Sequence, residues 1–81
     1  MKNRICIIGI AVMDRKTSAA QINQILSDFG DIVIGRLGVP YREKKISIIS
    51  VIVDGTTDQI GALTGKLGQV AKVKVKSAIL I

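Results

Sequence analysis

Arg4 to Met13 reads RICIIGIAVM. In an extended chain Ile5, Ile7, Gly9 and Ala11 fall on one side and Cys6, Ile8, Ile10 and Val12 on the other, so both faces are apolar, as in a central strand. The same pattern returns at Lys45 to Asp54, KISIISVIVD, where Ile46, Ile48 and Ile52 oppose Ile49, Val51 and Val53 and only Ser47 and Ser50 break the run. Two such strands in a short chain decide how the remaining segments must be placed.

After the first strand, Ser18-Ala19-Ala20-Gln21 has the spacing of a capping box, and Ala19, Ile22, Ile25, Leu26 and Phe29 recur at helical intervals. Gly30 supplies the stop. Asp31 to Val39, DIVIGRLGV, reads as a strand weakened by Gly35 and Gly38, and Pro40-Tyr41-Arg42-Glu43 is a connection short enough for a hairpin. Thr56-Thr57-Asp58-Gln59 gives a second capping box, Ile60, Leu63 and Leu67 share a helical face despite Gly65, and Gly68 follows. Lys72 to Ile79 closes the pattern as a strand in which Lys72, Lys74 and Lys76 alternate with Val73 and Val75.

The order is β-α-β-β-α-β. With right-handed crossovers the two halves interleave into an α+β, ferredoxin-like sandwich. Its four-stranded antiparallel sheet has strands one and three central, strands two and four at the edges, and both helices on one face. Residues 1–81 are expected to form this single domain, since 81 residues do not divide into two cores.

Two helices cover only one face of such a sheet, yet both central strands are apolar on both sides. Leaving several Ile and Val side chains wet forfeits roughly 1.5–3 kcal/mol each, against a net domain stability of about 5–15 kcal/mol. Self-association is therefore expected. We assign Ile8, Ile10, Ile49 and Val51 to the contact face, together with Tyr41 and Arg42 of the hairpin, where Tyr and Arg are frequent interface residues.

Composition removes much else. The chain has no histidine and one cysteine, Cys6, so there is no internal disulfide, no metal site is expected, and acid–base catalysis lacks its commonest group. No cofactor is implied, since the glycines never form G-x-G-x-x-G or a Walker pattern. The run from Ile5 to Met13 is about half of the roughly 20 apolar residues a membrane helix needs, and no secretory leader opens the chain, so a cytoplasmic, non-enzymatic protein is expected. Twelve Lys and Arg against six Asp and Glu give a net charge of +6, which favours anionic partners without naming one.

Two segments are candidate sites. The loop Asp14-Arg15-Lys16-Thr17 and the following Ser18 join the end of a central strand to a helix N-terminus, where free amides and the dipole favour an anion. Asp14 could pair an ammonium, Arg15 or Lys16 a carboxylate, and Thr17 or Ser18 could offer hydroxyls to a small amino-acid-like ligand; the plain alternative is a solvated turn with an ordinary cap. The stripe Lys72, Lys74, Lys76 could meet a phosphate backbone, but lysines on an edge strand are also a device against aggregation. Base stacking needs aromatic residues on the central strands, and neither has one, so direct nucleic-acid binding is not expected.

The segment Asp14 to Ala19 (D-R-x-x-S-A) and the run Val53 to Leu67 (V-D-G-T-T-D-Q-I-x-x-L-x-x-K-L) resemble the ACT-like regulatory domains over nearly the whole chain. More narrowly, Gly35 to Glu43 (GRLGVPYRE), Ile48 to Asp54 (IISVIVD), Ala62 to Gly68 (ALTGKLG) and Val75-Lys76-Ser77 resemble the small stand-alone family called "putative iron-only hydrogenase system regulators". That family is similar in fold to the C-terminal domain of the nickel-responsive repressor. The resemblance implies a homo-oligomeric regulatory module, dimer or tetramer, that senses a small-molecule effector or scaffolds a complex with a protein partner. Nickel sensing does not carry over, because the nickel domain uses histidines and Cys6 is not at a matching place. Amino-acid-binding ACT domains resemble D-R-x-G at the first loop, and Thr17 stands where that glycine would lie. The second reading, of another class, is a nucleic-acid-binding accessory protein using Lys72, Lys74 and Lys76 with Arg42, Lys44 and Lys45.

Overall fold

The computed structural model describes residues 2–81, with Arg15 described by its backbone alone. Seven elements follow one another: β1 (Arg4–Val12), α1 (Arg15–Asp28), β2 (Val33–Tyr41), a 3-10 turn η1 (Arg42–Lys44), β3 (Ile46–Gly55), α2 (Thr57–Gly68) and β4 (Val73–Ile79). The strands form one antiparallel sheet in the order β2-β3-β1-β4. The doubly apolar strands β1 and β3 are the central pair, as their pattern requires.

The register sorts the two faces. Against the helices, Cys6, Ile8, Ile10 and Val12 of β1 stand beside Val53, Val51, Ile49 and Ser47 of β3. Ile22 and Leu26 of α1 and Ile60, Leu63 and Leu67 of α2 close over them into one core. On the other face no described element lies. There one row runs Val39, Ile48, Ala11, Lys74 from β2 to β4, and the next runs Leu37, Ser50, Gly9, Lys76.

This register corrects the expected contact face. Ile8, Ile10, Ile49 and Val51 are buried under the helices of their own chain. The pleat gives that role to the alternate residues, because neighbours along a strand point to opposite faces.

Both helix starts have identifiable causes. At α2 the Gln59 amide donates to the Thr56 hydroxyl (3.2 Å) and the Thr56 amide donates to the Gln59 side chain (2.9 Å), the capping box that the spacing predicts. At α1 the expected cap at Ser18 is displaced. Asp14 caps instead, its carboxylate accepting from the Lys16 amide at 3.1 Å, so the helix begins at Arg15. An anionic cap is favoured by the helix dipole, and Ser18 falls four residues before Ile22 and eight before Leu26, on the stripe that faces the core. Its hydroxyl donates to the Ala71 carbonyl oxygen at 2.7 Å, tying α1 to the turn before β4.

Candidate functional site

Two features outside the core have the geometry of a site: a charged concavity at one end of the sheet and the uncovered apolar face.

The concavity, of about 710 Å³, is lined by Met13, Asp14, Lys16, Ala19, Arg42 and Lys45. It joins two segments that the sequence leaves separate, the start of α1 and the turn between β2 and β3. The second wall has its shape because Lys45 adopts a left-handed conformation (φ 57°) after the 3-10 turn and donates its amide to the Arg42 carbonyl oxygen at 3.1 Å. A non-glycine residue there carries local strain of order 1 kcal/mol.

The expected loop residues do not all meet in this space. Asp14 and Lys16 line it. Ser18 is 1% exposed and bonded to Ala71, so its hydroxyl is not available to a ligand. The Arg15 side chain lies outside the described residues. Asp14 is already engaged: the Thr17 side chain first, then the Lys16 and Thr17 amides, and last the Lys72 ammonium at 3.6 Å hold its carboxyl below the usual 3.8, while partial burial opposes them. The helix N-terminus thus carries its own anion, which takes up the Lys16 amide. Arg42, expected at an interface, instead shares the concavity, and Lys45 joins it through a backbone conformation that hydrophobic pattern does not encode.

The open face holds Leu37, Val39 and Tyr41 of β2, Ile46, Ile48 and Ile52 of β3, and Ile7 and Ala11 of β1. Leu37 is 65% exposed, Ile48 41% and Ile52 40%. Tyr41 does lie on this face, at its β2 edge beside Ile46. The lysine stripe is shorter than expected. Lys74 and Lys76 share the open face, but Lys72 precedes the strand in a left-handed conformation (φ 59°) and pairs with Asp14. Lys44 rests over the Tyr41 ring, 5.9 Å from its centre. Cys6 is buried in the core, and among the described residues no group of three or more Cys, Asp or Glu side chains could hold a metal. No described helix is long and apolar enough to cross a membrane.

A β-α-β-β-α-β sandwich with both described helices on one side of a four-stranded antiparallel sheet is an ACT-like, ferredoxin-like α+β fold. Residues 4–77 match the family described as "TM1266-like: Iron-only hydrogenase system regulator, putative", and the chain belongs to that family. The structure of the uncharacterized protein TM1266 from Thermotoga maritima is 39% identical, covers 99% of this chain and 100% of that one, and superposes with a TM-score of 0.95. A "putative glycine cleavage system transcriptional repressor" shares the fold at 12% identity (TM-score 0.70), over 98% of this chain and 46% of that one. The divalent ion tolerance protein CutA1 from Ehrlichia chaffeensis shares it at 15% identity (TM-score 0.53), over 99% of this chain and 84% of that one. No curated protein matches the sequence. The family's description is that of a regulator.

Proposed function

We propose that the chain is a cytoplasmic, non-enzymatic regulatory module of an iron-only hydrogenase system that works as a homo-oligomer and senses a small ligand. The observation that carries the reading is the open sheet face, with Leu37, Val39, Tyr41, Ile46, Ile48 and Ile52 gathered on β2 and β3 and no described element above them. The occupant we assign is a second copy of the chain. With strands about 4.8 Å apart and about 3.3 Å per residue, such a face spans roughly 500 Å², so two of them bury on the order of 1,000 Å², the range where specific interfaces begin. Lys74 and Lys76 stand at the β4 side of the same face, so the contact is centred toward β2 and β3, away from like charges.

The ligand surface of this reading is the concavity beside Asp14 and Lys16, at the end of the sheet. A ligand there touches both α1 and the turn into β3, and β3 carries the assembly face, so occupancy and assembly share one strand. The nucleic-acid reading loses ground, because Lys72 is paired to Asp14 and Lys44 to Tyr41.

Native mass spectrometry of untagged protein, with light scattering across a concentration series, tests the proposal. A dimer or tetramer is expected, and Leu37→Lys combined with Ile52→Lys should give a folded monomer. A wild-type chain that is monomeric at tens of micromolar would refute it, and a constant mass in the double variant would place the contact elsewhere.

A further inference from the structure

We infer that the concavity between α1 and the turn into β3 is a site for a compact oxyanion carrying two or more negative charges, not for a zwitterionic amino acid. The inference rests on the ligand-sensing reading above and specifies its ligand. Of the four charged side chains that line the space, three are cations: Lys16, Arg42 and Lys45. The one carboxylate, Asp14, accepts the Lys16 amide at 3.1 Å and pairs with Lys72 at 3.6 Å, so it is not left to receive a ligand ammonium. Among the described residues the only ion pair is Lys72 with Asp14, so Lys16, Arg42 and Lys45 are left without an ion-pair partner. A cleft with an excess of positive charge concentrates anions.

The residue types suit oxygen-rich anions. Arg42 offers a planar fork that can bond two oxygens at once, and the lysines add compact charges from both walls. The left-handed backbone at Lys45 brings the segment after the 3-10 turn to the concavity, opposite Lys16 on α1. Met13 and Ala19 add an apolar patch on which the carbon part of a ligand can rest.

Isothermal titration calorimetry with pyrophosphate and with citrate, at ionic strength held constant with sodium chloride, tests this on the native protein. One saturable site per chain is expected. Arg42→Gln and Lys45→Asn should each weaken binding about tenfold or more, as expected for losing a charge-assisted hydrogen bond. Asn tolerates the left-handed conformation, so Lys45→Asn removes the charge and keeps the turn; an unchanged thermal midpoint verifies that. Lys74→Gln, outside the concavity, should change affinity less than twofold. Equal losses in all three variants would mean diffuse attraction to a basic protein and would overturn the site. Parallel titrations with glycine and serine separate this inference from the reading beneath it. Binding of a zwitterion in place of the dianions would sink the ligand class while leaving a sensor, and silence from every probe in an intact oligomer would remove both the class and the sensing.

Discussion

The Lys72 ammonium stands 3.6 Å from the Asp14 carboxylate, so the turn that starts β4 is clamped to the residue that caps α1. Asp14 therefore acts twice, as a cap and as the partner of a lysine held in a left-handed backbone conformation.

Substitution at Asp14 separates the two roles. Asparagine keeps the cap and removes the charge, whereas alanine removes both. At pH 7 the thermal midpoints should fall in the order wild type, Asp14→Asn, Asp14→Ala. The native carboxyl titrates below the ordinary 3.8. A depressed value means that the ionised form stabilises the fold above pH 3.8, and that this contribution disappears as pH falls through the native value. Melting curves from pH 7 down to pH 2 should thus show wild type and Asp14→Asn converging in acid. A constant gap across that range would mean that the charge is not what stabilises the start of α1.

The buried Ser18 hydroxyl is the second link between α1 and the same turn. Ser18→Ala should cost about 1 kcal/mol, the usual worth of one hydrogen bond, with little added for cavity because the residue is small. Urea unfolding measures it. A neutral substitution would show that water satisfies the Ala71 carbonyl equally well.

The fold was largely legible because β1 and β3 are apolar on both faces and α2 carries its own capping box. Pattern alone could not say which alternate set of Ile and Val meets the helices, since a period of two looks the same from either side. That is why the pattern puts Ile8, Ile10, Ile49 and Val51 on the contact face, whereas the helices cover them. The start of α1 is ambiguous in the sequence because Asp14 and Ser18 both have cap chemistry, and a tertiary bond to Ala71 decides between them. Of the concavity, Asp14 and Lys16 could be found from their place at the start of a helix. Lys45 could not, because its contribution depends on a positive φ that lysine rarely adopts.

Gly55 ends β3 just before the α2 cap. A methyl group there would meet the Gln59 side-chain oxygen at 2.9 Å and an Ile32 methyl at 3.3 Å. Gly→Ala at an unstrained position normally stabilises slightly by restricting the unfolded chain. Here it must displace either a core isoleucine or one arm of the capping box, so Gly55→Ala should cost about 1–2 kcal/mol. Combined with Gln59→Ala the loss should be less than the two single losses added, because the second change removes the obstruction. Strict additivity in urea unfolding would show that Gln59 moves aside freely.

Ile48 and Ile49 are adjacent on β3 but face opposite ways, Ile49 into the core at 8% exposure and Ile48 onto the open face at 41%. Ile49→Ala removes methyl groups from a packed interior and should cost about 2–4 kcal/mol at every protein concentration. Ile48→Ala removes comparable area from a face left open in the single chain, so under the proposed assembly its loss should appear in the association step. For an oligomer the thermal midpoint rises with concentration, because assembly stabilises the folded state by mass action. Melting across a hundredfold concentration range therefore distinguishes the two. Ile49→Ala should shift the whole series downward, while Ile48→Ala should flatten its dependence on concentration. If both variants shift the series in parallel, the open face is not where copies meet, and the apolar rows of β2 and β3 must be covered by a different protein.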